Sequence, residues 1–178
     1  MAEGSPQAES SGSPFWRFSL QFYRLAGVAE ACITLQEECG VDVNLLLFLL
    51  WHAGEGRRLT VADVERLEAE IAPWRGMTVV PLRTIRRALK SQPALVEPGR
   101  AEAFRTRIKA VELEAERLQQ EAMYAGLHGR LLGEGASSVR DAAAINIAAY
   151  ASICRVEFAG PAVETLLAAL QQLSAAKD

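Results

Sequence analysis

Leu45 to Trp51 is an unbroken run of seven large apolar residues, and nothing else in the 178-residue chain restricts its fold as much. The run lies in a window, Val43 to Ala53, that carries no formal charge when His52 is neutral. That window is too short to cross a bilayer, which takes about 20 residues. A segment without a polar face has to be enclosed on every side by other elements. A buried strand is the competing reading for so short a run. Leucine predominance, with Asp42 at the N-cap position, favours a helix over residues 43–53. The expectation is an all-α fold, a single-domain bundle of about seven to eight helices around this central apolar helix.

Composition points the same way. Half of the residues are hydrophobic, many of them alanine, and aromatics make up only 7%. A net charge of −3 with 23% charged residues fits neither a dedicated nucleic-acid binder nor a disordered acidic chain. Cys32, Cys39 and Cys154 are too few, and odd in number, for a disulfide framework. Free, mostly buried thiols in a reducing cytoplasm are expected.

Local signals divide the chain. Met1 to Ser13 is small and polar, without the basic start and apolar stretch of a signal peptide, and is expected to be a disordered tail. A single helical domain should fill residues 14–174, with 175–178 frayed. Ser13-Pro14 opens a first helix carrying Phe15, Phe18, Phe22 and Leu25, and Val28 to Cys39 forms a second that Gly40 ends. Thr60 and Asp63 resemble a capping box opening a helix with Val64, Leu67 and Ile71. Pro73 should end it, with Trp74 to Thr78 as a connector. A short helix follows, with Pro81 in its first turn and Leu82, Ile85 and Leu89 inside. From Arg100 to Leu132 one long helix, or two with a bend, is expected to bury Phe104, Ile108, Val111, Leu118, Met123, Leu127 and Leu131. Ser138 and Gly160-Pro161 open the last two helices.

Catalytic signatures do not stand out. The sequence contains no HExxH, CxxC, P-loop, GxGxxG or GxSxG pattern. Cys32, Cys39 and His52 are not spaced as ligands of a known zinc motif. No catalytic residue, metal or cofactor is assigned, and the balance leans away from an enzyme.

Two groups of residues remain as candidates. Asp42 and Asn44 head the apolar helix and, with Trp16, Tyr23, Glu30, Gln36 and His52, could line a ligand pocket between helices. Their plainer roles are Asp42 as a cap, Asn44 serving first-turn backbone, and His52 as a partly cationic ring at a helix C-terminus. The second group is basic. Residues 57–90 hold eight basic side chains against four acidic ones. Arg83, Arg86, Arg87 and Lys90 recur at helical spacing, forming either a solvated face or a strip for an acidic protein, RNA or DNA, with Trp74 near enough to stack. The aromatic cluster Phe15, Trp16, Phe18, Phe22 and Tyr23 is expected in the core; exposed, it would recruit a partner.

One stretch is distinctive as a pattern. Phe15-Trp16, Ser19-Leu20 and Tyr23 are followed by Gly27-Val28-Ala29-Glu30-Ala31-Cys32 and Leu35-Gln36. Then come Gly40-Val41-Asp42-Val43-Asn44-Leu45-Leu46-Leu47 and Trp51. Over residues 15–53 this resembles a small proteobacterial family of unknown function. The resemblance implies a bacterial, cytoplasmic, helical protein and transfers no activity. The leading expectation is a non-enzymatic helical interaction or regulatory protein. The alternatives are a binder, and even an enzyme, for a small or lipid-like ligand in an inter-helix pocket, and weak nucleic-acid association through Arg57–Lys90.

Overall fold

The capping residues legible in the sequence start helices as their chemistry requires. In the computed structural model, which describes residues 12–91, 96–126 and 131–176, Ser13 Oγ accepts the Trp16 N–H at 3.1 Å and Pro14 takes the first helical position of α1 (Pro14–Tyr23). Helix α2 (Val28–Cys39) ends on Gly40, whose φ of 68° is left-handed. Asp42 Oδ1 accepts the Leu45 N–H at 3.0 Å and opens α3 (Val43–Gly54). Thr60 and Asp63 complete a reciprocal capping box at α4 (Val61–Trp74). Then follow α5 (Val80–Ala88), α6 (Pro98–Gly126), α7 (Val139–Cys154) and α8 (Gly160–Ala175).

Helix α3 is central. Every residue from Asn44 to Ala53 is buried, and α1, α2, α6, α7 and α8 all pack on it. Phe15 meets Phe48 edge-on with ring centroids 4.8 Å apart, so the α1 aromatics serve the core; of that cluster only Tyr23 is exposed. The fold is an all-α bundle, with seven helical bodies among the described residues when the segment from α4 to α5 is taken as one.

Three features depart from the sequence expectation. Pro73 does not end its helix. The backbone passes from α4 through a π-helical turn, Arg75–Val79, into α5 without leaving helical dihedrals, and a 3₁₀ turn, Leu89–Ser91, follows. Pro81 has no N–H for the carbonyl one turn back, and its ring would crowd that turn. The wider register, shown by the Val80 N–H donating to the Arg75 carbonyl five residues earlier, makes the room.

Helix α6 is rotated from the expected orientation. Its buried residues are Ala101, Glu112, Ala115, Gln119, Gln120 and Met123, whereas Phe104 is 43% and Leu118 52% exposed. Val111 is also exposed and Ile108 half-buried; Leu127 lies outside the described residues. Apolar periodicity locates a stripe but not what faces it, and here polar partners on α3 and α5 fix the rotation. The helix starts at Pro98 rather than Arg100, and Leu131 and Leu132 are already outside it. Of the expected tail, residues 1–11 lie outside the described residues, and Ser13 is anchored by its N–H to Glu121 at 3.0 Å.

The third feature is a two-residue antiparallel pairing of β1 (Arg57–Arg58) with β2 (Glu134–Gly135), too short to carry a periodic signal. It depends on Gly133, with φ of 73°, where a Cβ would lie 2.1 Å from the Arg58 carbonyl oxygen. Fully buried Asn146 of α7 ties this pairing to the core. Its Oδ1 accepts the Leu59 N–H at 2.6 Å, and its Nδ2 donates to the carbonyls of Leu49 and Arg57 at 3.0 and 3.1 Å.

Candidate functional site

At the head of α3 the chain turns polar inside its own core. Asp42 Oδ1 caps the helix, while its Oδ2 accepts from Gln119 Nε2 at 3.1 Å and Arg75 Nη1 at 3.2 Å. Its backbone N–H donates to Tyr150 Oη at 2.8 Å. Arg75 comes from the π turn and is also gripped by both oxygens of Glu68, at 2.9 Å in the longer contact. Two residues along, Asn44 Oδ1 accepts from Gln120 Nε2 at 2.8 Å. Five elements therefore converge, and the π turn aims Arg75 at Asp42.

A second cluster lies between α5 and α6. Arg83 donates to Glu112 at 3.1 Å and to Glu116 at 2.7 Å, and Arg86 also binds Glu112. The two carboxylates titrate in opposite directions. Burial pushes Glu112 up, but hydrogen bonds from Arg86 and Arg83 outweigh it, so its pKa is lowered. Burial dominates at Glu116 and raises its pKa. Burial, then the Asp42 charge, raises Tyr150, and the hydrogen bond to Glu68 raises Arg75.

In both clusters the charged and amide groups hold one another across helices. Burial pushes the Cys32 thiol up to about 12, far from thiolate reactivity. Among the described residues, no group of three or more His, Cys, Asp or Glu is placed to hold a metal ion. Among the described residues, four buried polar atoms have no hydrogen-bond partner: Gln119 Oε1, Gln120 Oε1, His52 Nε2 and Ser19 Oγ. Two of them flank the Asp42–Asn44 site.

The residues singled out in the sequence scatter around this site. Asp42 and Asn44 both lie buried at the head of α3, each held by a glutamine of α6. Tyr23 is 38% exposed and senses the charges of Glu116 and Arg83, although burial is the main cause of its raised pKa. Trp16 is buried beneath the Arg117 guanidinium, 5.6 Å from its ring. Glu30 is exposed and Gln36 half-buried, both on α2. His52 is fully buried, with Nδ1 hydrogen-bonded to the Phe48 carbonyl at 3.0 Å. Burial lowers its pKa to about 4, so the partly cationic ring expected from the helix dipole is instead neutral.

The basic strip is largely matched by acid. Arg83 and Arg86 turn inward to Glu112, Arg87 pairs with Glu37 at 3.1 Å, and Lys90 is exposed. Trp74 donates its indole N–H to the Ala115 carbonyl at 3.1 Å. Arg75, Glu68, Gln119, Gln120 and Tyr150 were not singled out. Arg75 falls in the segment expected to be a connector, and the glutamines fall on the face of α6 expected to be wet.

The same rotation of α6 creates an apolar surface. Helices α5 and α6 pack antiparallel, with Arg83, Arg86, Glu112 and Glu116 between them. Arg87 of α5 reaches back to Glu37 of α2, and Arg117 of α6 reaches Trp16 of α1, so these edges face the body of the domain. Leu82, Ile85 and Leu89 lie on the opposite edge of α5, and Phe104, Ile108, Val111 and Leu118 on the opposite edge of α6. Antiparallel packing puts the two edges on one side of the hairpin, facing away from the core.

Residues 14–123 match a family model described as "Protein of unknown function (DUF2390)". The chain belongs to this family. The DUF2390 match runs from α1 to the last turns of α6, so it contains the hairpin and the polar site except Tyr150. Helices α7 and α8 lie beyond it. No curated protein and no solved structure gives a match. No helix among the described residues is long and apolar enough to cross a membrane.

Proposed function

We propose that this member of the DUF2390 family is a non-enzymatic helical interaction protein whose docking surface is the outward face of the α5–α6 hairpin. One observation carries the reading. Helix α6 buries Glu112, Gln119 and Gln120 and leaves Phe104, Val111 and Leu118 exposed, while Ile85 on the matching edge of α5 is 44% exposed. Contiguous apolar surface on a soluble helical domain marks a site of association. The arginines of the strip support the reading indirectly, since Arg83 and Arg86 hold the hairpin together rather than facing a partner.

Affinity capture with the full chain tests it. The wild type should retain a specific protein that the Ile85→Asp, Leu118→Asp double variant loses at unchanged helicity. Equal capture by both chains would remove the hairpin face from consideration. Charge reversal at Arg83 is the wrong probe, because it would break the hairpin itself.

A second reading has one observation in its favour. The unpartnered Gln119 and Gln120 oxygens beside Asp42 and Asn44 are buried acceptors that a donor-bearing small molecule would satisfy. A compound that raises the melting temperature of the wild type but not of Asn44→Ala would support it. A library that shifts both alike would count against it.

A further inference from the structure

We infer that the partner on the hairpin face is a second copy of this chain, packed antiparallel along α6 about a two-fold axis. The inference rests on the docking reading above and adds the identity and register of the occupant.

The first ground is the shape of the seam. Phe104, Ile108, Val111 and Leu118 follow the alternating three-and-four spacing of a coiled-coil seam, whose remaining positions are Ala101 and Ala115, small residues already buried within the chain. In an antiparallel pair the two seam positions of each heptad alternate across the interface. With the axis between Lys109 and Ala110, Ile108 faces Val111 of the second copy. Phe104 faces Ala115 of the second copy, and Leu118 faces Ala101. Each bulky residue at the ends of the seam thus lies over a small, buried alanine position rather than over another bulky side chain. Leu82, Ile85 and Leu89 of α5 flank the seam, so two hairpins make a four-helix arrangement.

The second ground is charge. Arg100, Arg107, Glu114 and Glu121 border the seam on its outer edge at seven-residue intervals. The sign reverses once, midway. A helix with one basic and one acidic half repels a parallel copy in register and matches an antiparallel one. About the same axis Arg107 lies two residues from level with Glu114 of the second copy, within reach across the flank of the seam, and Arg100 stands likewise to Glu121, which also holds the Ser13 N–H. Shape and charge thus favour the same antiparallel pairing. Among the described residues, neither Arg107 nor Glu114 makes an ion pair within its own chain. Arg107 lies over the Phe104 ring, 5.5 Å from its centroid, at the border of the seam.

Sedimentation of the purified full chain across a concentration series tests the proposal. The expected result is a dimer. Val111→Asp with Leu118→Asp should give a monomer with unchanged circular dichroism, since both positions are exposed, and a melting temperature that no longer rises with protein concentration. Arg107→Glu alone, and Glu114→Arg alone, should each weaken the dimer about tenfold or more. The Arg107→Glu, Glu114→Arg double variant should restore it, because an antiparallel pair regains both contacts. A dimer without that rescue overturns the antiparallel register. A chain that stays monomeric at high concentration overturns self-association altogether. If the monomer still captures another protein through Ile85 and Leu118, the docking reading stands without this one; if it captures none, both fall.

Discussion

Gln119 donates its amide to Asp42 Oδ2 over 3.1 Å, joining the last third of α6 to the cap of the buried α3. The same carboxylate caps Leu45 with its other oxygen and receives Arg75 from the π turn. Asp42 is therefore more than a cap. Asp42→Ala should cost roughly 3–5 kcal/mol, the range for breaking a buried charge pair, against about 1 kcal/mol for a cap alone. Asp42→Asn keeps an oxygen for the cap and should fall between. Urea unfolding of both variants measures the difference; a loss near 1 kcal/mol for Asp42→Ala would show that Arg75 and Gln119 contribute nothing through it.

His52 makes the fold acid-sensitive. Burial holds its pKa near 4, below the 6.5 of an exposed imidazole. As the pH falls below about 6.5 the unfolded chain takes up a proton that the native chain refuses until about 4. Stability is complete above that window and declines by roughly 3 kcal/mol across it. Melting curves between pH 7 and 4 should show the decline, and His52→Gln should flatten it while lowering stability at pH 7. An equally steep profile in the variant would place the sensitivity in other groups.

Two leucines report the orientation of α3 and α6. Leu46 is fully buried, and Leu46→Ala should cost about 2–5 kcal/mol through the cavity it leaves. Leu118→Ala, on the outward seam, should change the stability of the isolated monomer by no more than about 0.5 kcal/mol. Comparable losses at both positions would mean that α6 is turned the other way.

The sequence carried the fold where a local rule acts alone. Ser13, Asp42, Thr60 and Gly40 each fulfil a backbone requirement with their own side chain or dihedral freedom, so their helices could be read directly. The apolar run of α3 needed only the absence of a polar face. What could not be read depends on residues far apart in sequence. Glu112 reads as a surface acid until Arg83 and Arg86 are brought over it, and Gln119 as a wet-side amide until Asp42 lies beneath it. Asn146 sits in a run of alanines with no local sign that three backbone groups from other elements will need it. Within the polar site, Asp42 and Asn44 were visible as the head of a buried helix, while Arg75 was hidden by the ordinary rule that proline ends helices.

The π turn at Arg75–Val79 has a consequence for how the molecule presents its outer surface. A π turn accommodates one residue more than an α-helix of the same rise, so it acts as a phase shift between the two halves of one rod. An α-helix advances about 100° per residue. Deleting Gly76 would take away the wide register that accommodates Pro81 and swing everything beyond it by about that angle. Arg83 would leave Glu112, and the apolar edge of α5 would turn away from that of α6. The azimuth of the arm, and with it the direction from which anything can approach, is thus set by a single inserted residue that touches neither the core nor the exposed seam.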